Sequence, residues 1–458
     1  MVGDHVSDDA VPMTRPNGMH TAIAVATARA HRRARSPVRR VAMLSMHTSP
    51  LAPLGGRETG GMNVYVHAVS AALARAGLRV DVFTRRTDPF SPEVQSVTAG
   101  VRLIHVPAGP AARVEKEEMD GFADEFASGV RAFAAGEGVR YDFVHSHYWL
   151  SAIAGRSLAR EWDVPHVAMF HTLADVKLGV GYSDYEPDAR VAAERALVHD
   201  VDRVVVATEH EMHLLGELYG VPSRNVAVIP PGVDRERFRP RDRAAARAEL
   251  GLDADARILL AAGRIERPKG FDVLIKALGE MTALDGTQLL IIGGDERSIA
   301  EVARLRRIAE DAGVSDLVHF VGSVTHEQIG TYYNAADVVV MPSRYESFGL
   351  VAAEAMASGV PVVASRVGGL ASTVADGRTG YLIPWRSPDL FAEKLDLLLE
   401  DAALRERMGA NAADAMSVYD WRSVAAQLVD LYTHLVRDAV AVPASPGLCA
   451  VARVRLPA

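Results

Sequence analysis

The chain has 458 residues, 49% of them hydrophobic, enough for two large α/β domains each with its own core. Its net charge of −8 argues against a nucleic-acid backbone tracker, and its single cysteine, Cys449, excludes an internal disulfide or a thiolate zinc site. No apolar run reaches the roughly 18 residues of a membrane-spanning helix.

Residues 1–37 are expected to form a disordered extension. Their mildly apolar stretch at 21–30 comes before Arg32, Arg33 and Arg35, the reverse of the charge order of a secretory signal. From Val38 onward short β-rich runs alternate with helical stretches. Strands are expected at 41–45, 80–84, 101–106, 143–146, 166–170 and 204–207, with a first helix at 62–76. The pattern restarts after Pro230-Pro231-Gly232, a stiff break. A short helix at 241–250 and strands at 258–262, 289–293, 318–321, 338–342 and 360–364 follow. A final helix near 421–437 places Val424, Leu428, Leu431, Leu435 and Val436 on one face. Such alternation predicts two parallel sheets wrapped by helices, with ligands at the carboxyl ends of the strands. The expected division is 38–220, 221–418, a last helix at 419–438 and a loose tail at 439–458.

Four segments carry chemistry. The loop Leu54-Gly55-Gly56-Arg57-Glu58-Thr59-Gly60-Gly61-Met62-Asn63 enters the first helix, where glycines let backbone amides approach an anion or sugar oxygen. It lacks GxGxxG spacing and no acidic residue ends the second strand, which disfavours a dinucleotide; a plain glycine turn stays open. His145, His147, Tyr148, His171 and Thr172 stand at the ends of neighbouring strands. No carboxylate or cysteine completes a metal set there, so sugar binding is set against buried, hydrogen-bonded histidines. Arg264 and Lys269, just after the first strand of the second domain, suit a diphosphate leaving group, the alternative being a solvated basic loop. Glu346 and Glu354 stand eight residues apart around Ser347-Phe348-Gly349-Leu350. A helix starting after Phe348 would offer the Gly349 and Leu350 amides to a phosphate or sugar oxygen, and Glu354 could accept both hydroxyls of a ribose.

With these residues the chain resembles the retaining glycosyltransferases of GT-B architecture, family 4, over about 38–437. The pair Glu346/Glu354, Gly263-Arg264 with Lys269-Gly270, Pro231-Gly232-Val233-Asp234 and Val367-Gly368-Gly369 are features of that family. The first half is similar to the D-inositol 3-phosphate glycosyltransferases of mycothiol biosynthesis in Ser45-Met46-His47-Thr48, Gly60-Gly61-Met62-Asn63, Lys116-Glu117-Glu118 and His145-Ser146-His147-Tyr148. The second half departs from that group: Glu266 and Gly293-Gly294-Asp295-Glu296 replace its usual segments, and Leu178 replaces an asparagine after Lys177.

The resemblance implies an α/β GT-B fold, two Rossmann-like doubly wound domains with an interdomain cleft, the last helix crossing back to the first domain. It implies a retaining hexosyltransferase with His171, Arg264, Lys269 and Glu346 as catalytic residues. The nucleotide-sugar would meet Gly61, Arg264, Lys269, Gly294, Glu346, Phe348, Gly349, Leu350 and Glu354. The acceptor would meet His47, Gly60, Met62 and Asn63, its phosphate held by Lys116, Tyr148, Thr172 and Arg190. The donor is expected to be UDP-GlcNAc or UDP-glucose as co-substrate, with no obligate cofactor and no metal. No carboxylate nucleophile stands out in the first domain, so a same-face, ion-pair-like displacement is implied. The acceptor is a phosphorylated cyclitol or sugar such as 1D-myo-inositol 3-phosphate; fructose 6-phosphate, as for sucrose-phosphate synthases, and an aminocyclitol stay open. A sugar-nucleotide-binding regulator without turnover is the reading of another class, opposed by the complete Arg264/Lys269/Glu346 set. A cytoplasmic protein without nucleic-acid partner or integral membrane segment is expected, with a homodimer as one open assembly.

Overall fold

The computed structural model describes residues 38–52, 60–181 and 185–441. The expected extension at 1–37, most of the glycine loop at 54–59, and the tail beyond 441 with Cys449 lie outside the described residues. The first sheet has eight strands: β1 (Arg40–Leu44), β2 (Arg79–Arg85), β3 (Val94–Thr98), β4 (Val101–Val106), β5 (Phe143–His147), β6 (His166–Met169), β7 (Arg203–Val206) and β8 (Val226–Val228). Their spatial order is β3-β4-β2-β1-β5-β6-β7-β8. All neighbours are parallel except β3, which runs antiparallel along the edge of β4. The second sheet holds β9 (Arg257–Ala262), β10 (Thr287–Ile292), β11 (Val318–Gly322), β12 (Val338–Met341), β13 (Val362–Ser365) and β14 (Gly380–Ile383). Its order is β11-β10-β9-β12-β13-β14, wholly parallel, the doubly wound arrangement expected.

The buried strands read as continuous apolar runs because helices cover both faces: Val338, Val339 and Val340 are at most 1% exposed. Three strands, β3, β8 and β14, are additions to the expected set. β3 (VQSVT) is mostly exposed and polar, and β14 (GYLI) spans four residues, so neither carries a periodic signal. The first sheet also outruns the expected boundary at 220, since β8 pairs with β7 through Val204–Val226 and Val206–Val228.

The last helix, Trp421–Ala441, packs on the first helix of the first domain, Gly61–Arg75. Val424, Leu428 and Leu435 are buried, and so is Tyr432, whose hydroxyl meets His145 Nδ1 at 2.6 Å. The chain thus passes between the domains twice, and the two passages lie side by side. Val233 N–H donates to the Tyr419 carbonyl at 2.9 Å, and Gly232 sits so close to Trp421 that a Cβ there would meet its backbone nitrogen at 2.6 Å.

Candidate active site

The switch points of the two sheets, between β1 and β5 and between β9 and β12, face one cavity of about 1130 Å³. On the first-domain side the wall is built from strand ends. His47 follows β1, Tyr148 follows β5, and His171 and Thr172 follow β6. Tyr148 (φ 73°) and His171 (φ 62°) are both left-handed, a conformation that costs a residue with a Cβ about 1–2 kcal/mol. Both side chains line the cavity. Gly60, Gly61, Met62 and Asn63 line it at the first helix start. Asn63 is fully committed to scaffolding: its amide donates to Thr48 Oγ1 (2.8 Å) and Ser49 O (2.7 Å) and its Oδ1 accepts the Gly60 N–H (3.0 Å).

The histidines form a neutral cluster. His171 Nε2 lies 3.0 Å from His147 Nδ1, and His166 Nε2 lies 2.8 Å from the Ser146 hydroxyl. Burial pushes His145, His166 and His171 down to about 3. His47 falls to about 3 as well, through burial first and then through the nearby cations Lys116 and Arg190 with His171. Among the described residues no three His, Cys, Asp or Glu side chains group as metal ligands.

The four residues expected at an acceptor phosphate all line the same end of the cavity. Their surroundings differ from a simple cationic pocket. Arg190 is 2% exposed; its Nε donates to Glu194 (2.7 Å), its Nη1 to Glu186 (2.7 Å), and its Nη2 to the Thr172 carbonyl (2.9 Å). The guanidinium also lies 4.9 Å over the Tyr148 ring. Lys177 reaches the other oxygen of Glu186 and lines the cavity too. Burial favours a neutral Glu186, but Arg190 and Lys177 hold it below the usual carboxylate range. Glu194 goes the other way, raised by burial despite Arg190. Among the described residues Lys116, Lys177 and Arg190 bring three cations to Glu186 and Glu194, so this end of the cavity is suited to an anion. Arg190 orders it from behind, by anchoring Thr172 and Glu186.

On the second-domain side Arg264 and Lys269 line the cavity between β9 and the helix Phe271–Glu280. Each sits beside a carboxylate: Arg264 Nη1 is 3.1 Å from Glu266, and Lys269 Nζ is 2.5 Å from Glu346 Oε1, which also accepts from the Ser343 hydroxyl (2.9 Å). Lys269 and Glu346, expected on the diphosphate and the sugar respectively, therefore lie in contact. Gly349 (φ 87°) is the N-cap of the helix Leu350–Ala357, as expected from a helix starting after Phe348, and a Cβ on it would meet Leu370 at 2.5 Å. Phe348, Gly349, Leu350 and Glu354 line the cavity. Gly293 lines it as well, whereas Gly294 lies behind, where a Cβ would press on Ile265 at 3.0 Å. Glu354 is 6% exposed and accepts from His326 (3.0 Å) and Tyr333 (3.0 Å).

Several lining residues escape sequence reasoning. Arg344 donates through Nε to the Val180 carbonyl across the cleft (2.6 Å) and stacks on Trp385 (4.6 Å). Ser347 bridges the domains by donating to the His171 carbonyl (2.8 Å). Both belong to the Glu346 loop, so proximity in sequence is the signal that could find them; for Lys177 the signal is its place beside the departing Leu178. His326 and Tyr333 have no such signal.

Residues 60–232 match the model described as Glycosyl transferase 4-like domain, and residues 242–415 that of Glycosyl transferases group 1. A D-inositol 3-phosphate glycosyltransferase of Geodermatophilus obscurus is 43% identical over 423 residues, covering 90% of this chain and 93% of the relative. D-inositol 3-phosphate glycosyltransferase 2 of Catenulispora acidiphila is 42% identical over 410 residues, covering 87% and 96%. Among solved structures, a sucrose-phosphate synthase from Thermosynechococcus elongatus superposes with a TM-score of 0.81 at 35% identity, covering 87% of this chain and all of that one. HepE of Anabaena, in complex with UDP and glucose, shares the fold with a TM-score of 0.69 at 19% identity, covering 87% and 100%. No helix among the described residues is long and apolar enough to cross a membrane.

Proposed function

This chain belongs to the retaining glycosyltransferases of GT-B fold, family 4, and on that premise we propose that it moves N-acetylglucosamine or glucose from a UDP-sugar to 1D-myo-inositol 3-phosphate. The observation that carries the reading is the opposition, across one cavity, of a cation-rich end around Lys116, Lys177 and Arg190 and a diphosphate end around Arg264 and Lys269. In the reaction the sugar C1–O bond to the diphosphate breaks, and the electron pair leaves on the diphosphate oxygen. The acceptor hydroxyl attacks from the same face, and its proton passes to that departing oxygen. Arg264 and Lys269 stabilise the developing charge, which commonly contributes a few kcal/mol. Glu346 would turn from Lys269 to the donor-sugar hydroxyls, Glu354 would take the ribose, and His171, kept neutral, would sit beside the reacting carbon without adding a positive charge there. The hydrogen bonds from Ser347 and Arg344 to first-domain carbonyls join the two walls, and closure on the substrates would exclude water.

The relation to sucrose-phosphate synthase supports fructose 6-phosphate as a second acceptor reading. The single cysteine and net charge of −8 favour a cytoplasmic enzyme without a nucleic-acid partner. The test is kcat/KM for inositol 3-phosphate, fructose 6-phosphate and their unphosphorylated parents, with UDP-, GDP- and ADP-sugars, products read by mass spectrometry. A phosphate preference of about 2–4 kcal/mol is expected, because the phosphate adds charge-assisted hydrogen bonds that the parent hydroxyl does not make. Equal use of the unphosphorylated compounds would move an aminocyclitol to first place, and absence of both transfer and donor hydrolysis would leave a binding regulator.

A further inference from the structure

The Pro231-Gly232-Val233-Asp234 motif takes no part in the reaction just described, yet it is built into the nucleotide end of the cavity. Asp234 Oδ1 accepts the backbone N–H groups of Glu236 (3.1 Å) and Arg237 (3.2 Å), and its carbonyl accepts that of Phe238 (2.7 Å). The tight turn this makes aims Arg237 at His326, where Nη1 donates to Nδ1 at 2.6 Å. A guanidinium only donates and does not lose its proton, so Nδ1 carries the lone pair and the ring proton sits on Nε2. Nε2–H therefore donates to Glu354 Oε1 at 3.0 Å, and the Tyr333 hydroxyl donates to Oε2 at 3.0 Å. Phe238, buried at 1%, packs edge-on against the rings of His326 (5.1 Å) and Tyr333 (5.8 Å), so both donors are held in place.

Each carboxylate oxygen offers two acceptor positions. One on each is occupied by a protein donor, which leaves one on each, and Glu354 lines the cavity. Two adjacent acceptor positions complement a vicinal diol. We infer that His326, oriented by Arg237, is a positioning residue that with Tyr333 fixes the rotation of the Glu354 carboxylate, so that its remaining acceptor positions take both ribose hydroxyls of the nucleotide. This rests on the reading that Glu354 binds the ribose. The family motif at Asp234 then acts on the nucleotide at one remove, through Arg237 and His326.

Calorimetry on the full chain with UDP and 2′,3′-dideoxy-UDP tests it. The unaltered protein is expected to bind UDP at least about tenfold more tightly than the dideoxy compound, as for hydrogen bonds to a charged acceptor. His326→Ala is expected to weaken UDP about tenfold and dideoxy-UDP less than about twofold. His326→Gln, whose amide accepts from Arg237 and donates to Glu354, restores most of the UDP affinity. Equal weakening of both ligands by His326→Ala, or no rescue by a His326→Gln variant with normal melting behaviour, overturns the inference and leaves the Glu354 reading standing. If the unaltered protein does not distinguish the two ligands, it is the Glu354 reading that fails, and the inference falls with it.

Discussion

Replacing Arg190 by alanine separates a phosphate ligand from a scaffold. A residue that only grips the acceptor would raise its KM and leave stability alone. In this fold Arg190 neutralises two carboxylates at 2.7 Å each while 2% exposed. When it is removed, Glu186 keeps Lys177, but Glu194 is left with neutral donors, the Ala174 N–H at 2.7 Å and the Tyr219 hydroxyl at 3.4 Å. One buried carboxylate thus loses its countercharge, which costs about 3–5 kcal/mol. Denaturant titration of Arg190→Ala should show a loss of that size. The deficit should depend on pH. Burial already raises the Glu194 pKa, and loss of Arg190 raises it further, so the folded variant takes up a proton that the unfolded chain does not. Stability is therefore regained as pH falls through the raised folded value, and the gap to the unaltered protein should narrow from pH 8 to pH 5. Adding Glu194→Gln should recover at least half the loss, since an amide needs no countercharge. Lys116→Ala, at the cavity wall, should raise the acceptor KM at unchanged stability. An Arg190→Ala protein of normal stability with only a higher KM would refute the scaffold assignment.

Arg264→Ala and Lys269→Ala should each lower kcat about 10²-fold or more in a steady-state UDP-release assay, with donor KM changing less. Glu346→Gln should weaken a UDP-sugar but tighten UDP itself about fivefold by calorimetry, because Lys269, now 2.5 Å from Glu346, is freed for the diphosphate at a contact worth about 1 kcal/mol net. Glu211, whose Oε2 accepts the Ala207 N–H at 2.8 Å, is pushed up to about 7 by burial. Its folded pKa exceeds its unfolded one, so the stability it gives is full below the ordinary glutamate range and lost as pH rises through about 7; melting temperature should fall over that window, and Glu211→Gln should flatten the fall.

The strand–helix alternation is plain in the sequence because parallel strands buried on both faces must be apolar throughout, as in Val338–Met341. β3 is hidden because an exposed edge strand obeys no such demand. The site is legible where chemistry is local: Glu346 and Glu354 share a turn and a helix start, and Arg264 and Lys269 share a loop. It is not legible where partners are distant. Lys269 meets Glu346 across 77 residues, and Glu354 meets His326 across 28. Arg190 is the intermediate case. Its i±4 spacing to Glu186 and Glu194 is visible in the sequence, but that pattern reads as a surface salt-bridge ladder until burial is known.

The paired passages at Gly232–Val233 and Tyr419–Trp421 govern how the cavity can open. A single linker would let one domain swivel freely about the other. Two chain segments joined by the Val233–Tyr419 hydrogen bond and held together at Gly232 resist torsion and translation, and leave bending across the pair as the soft degree of freedom. Opening is then expected to resemble a book on its spine, with the Lys116 wall and the Arg264 wall separating along one arc and returning to the same register. Such a hinge would admit substrates without the two halves having to search again for their alignment.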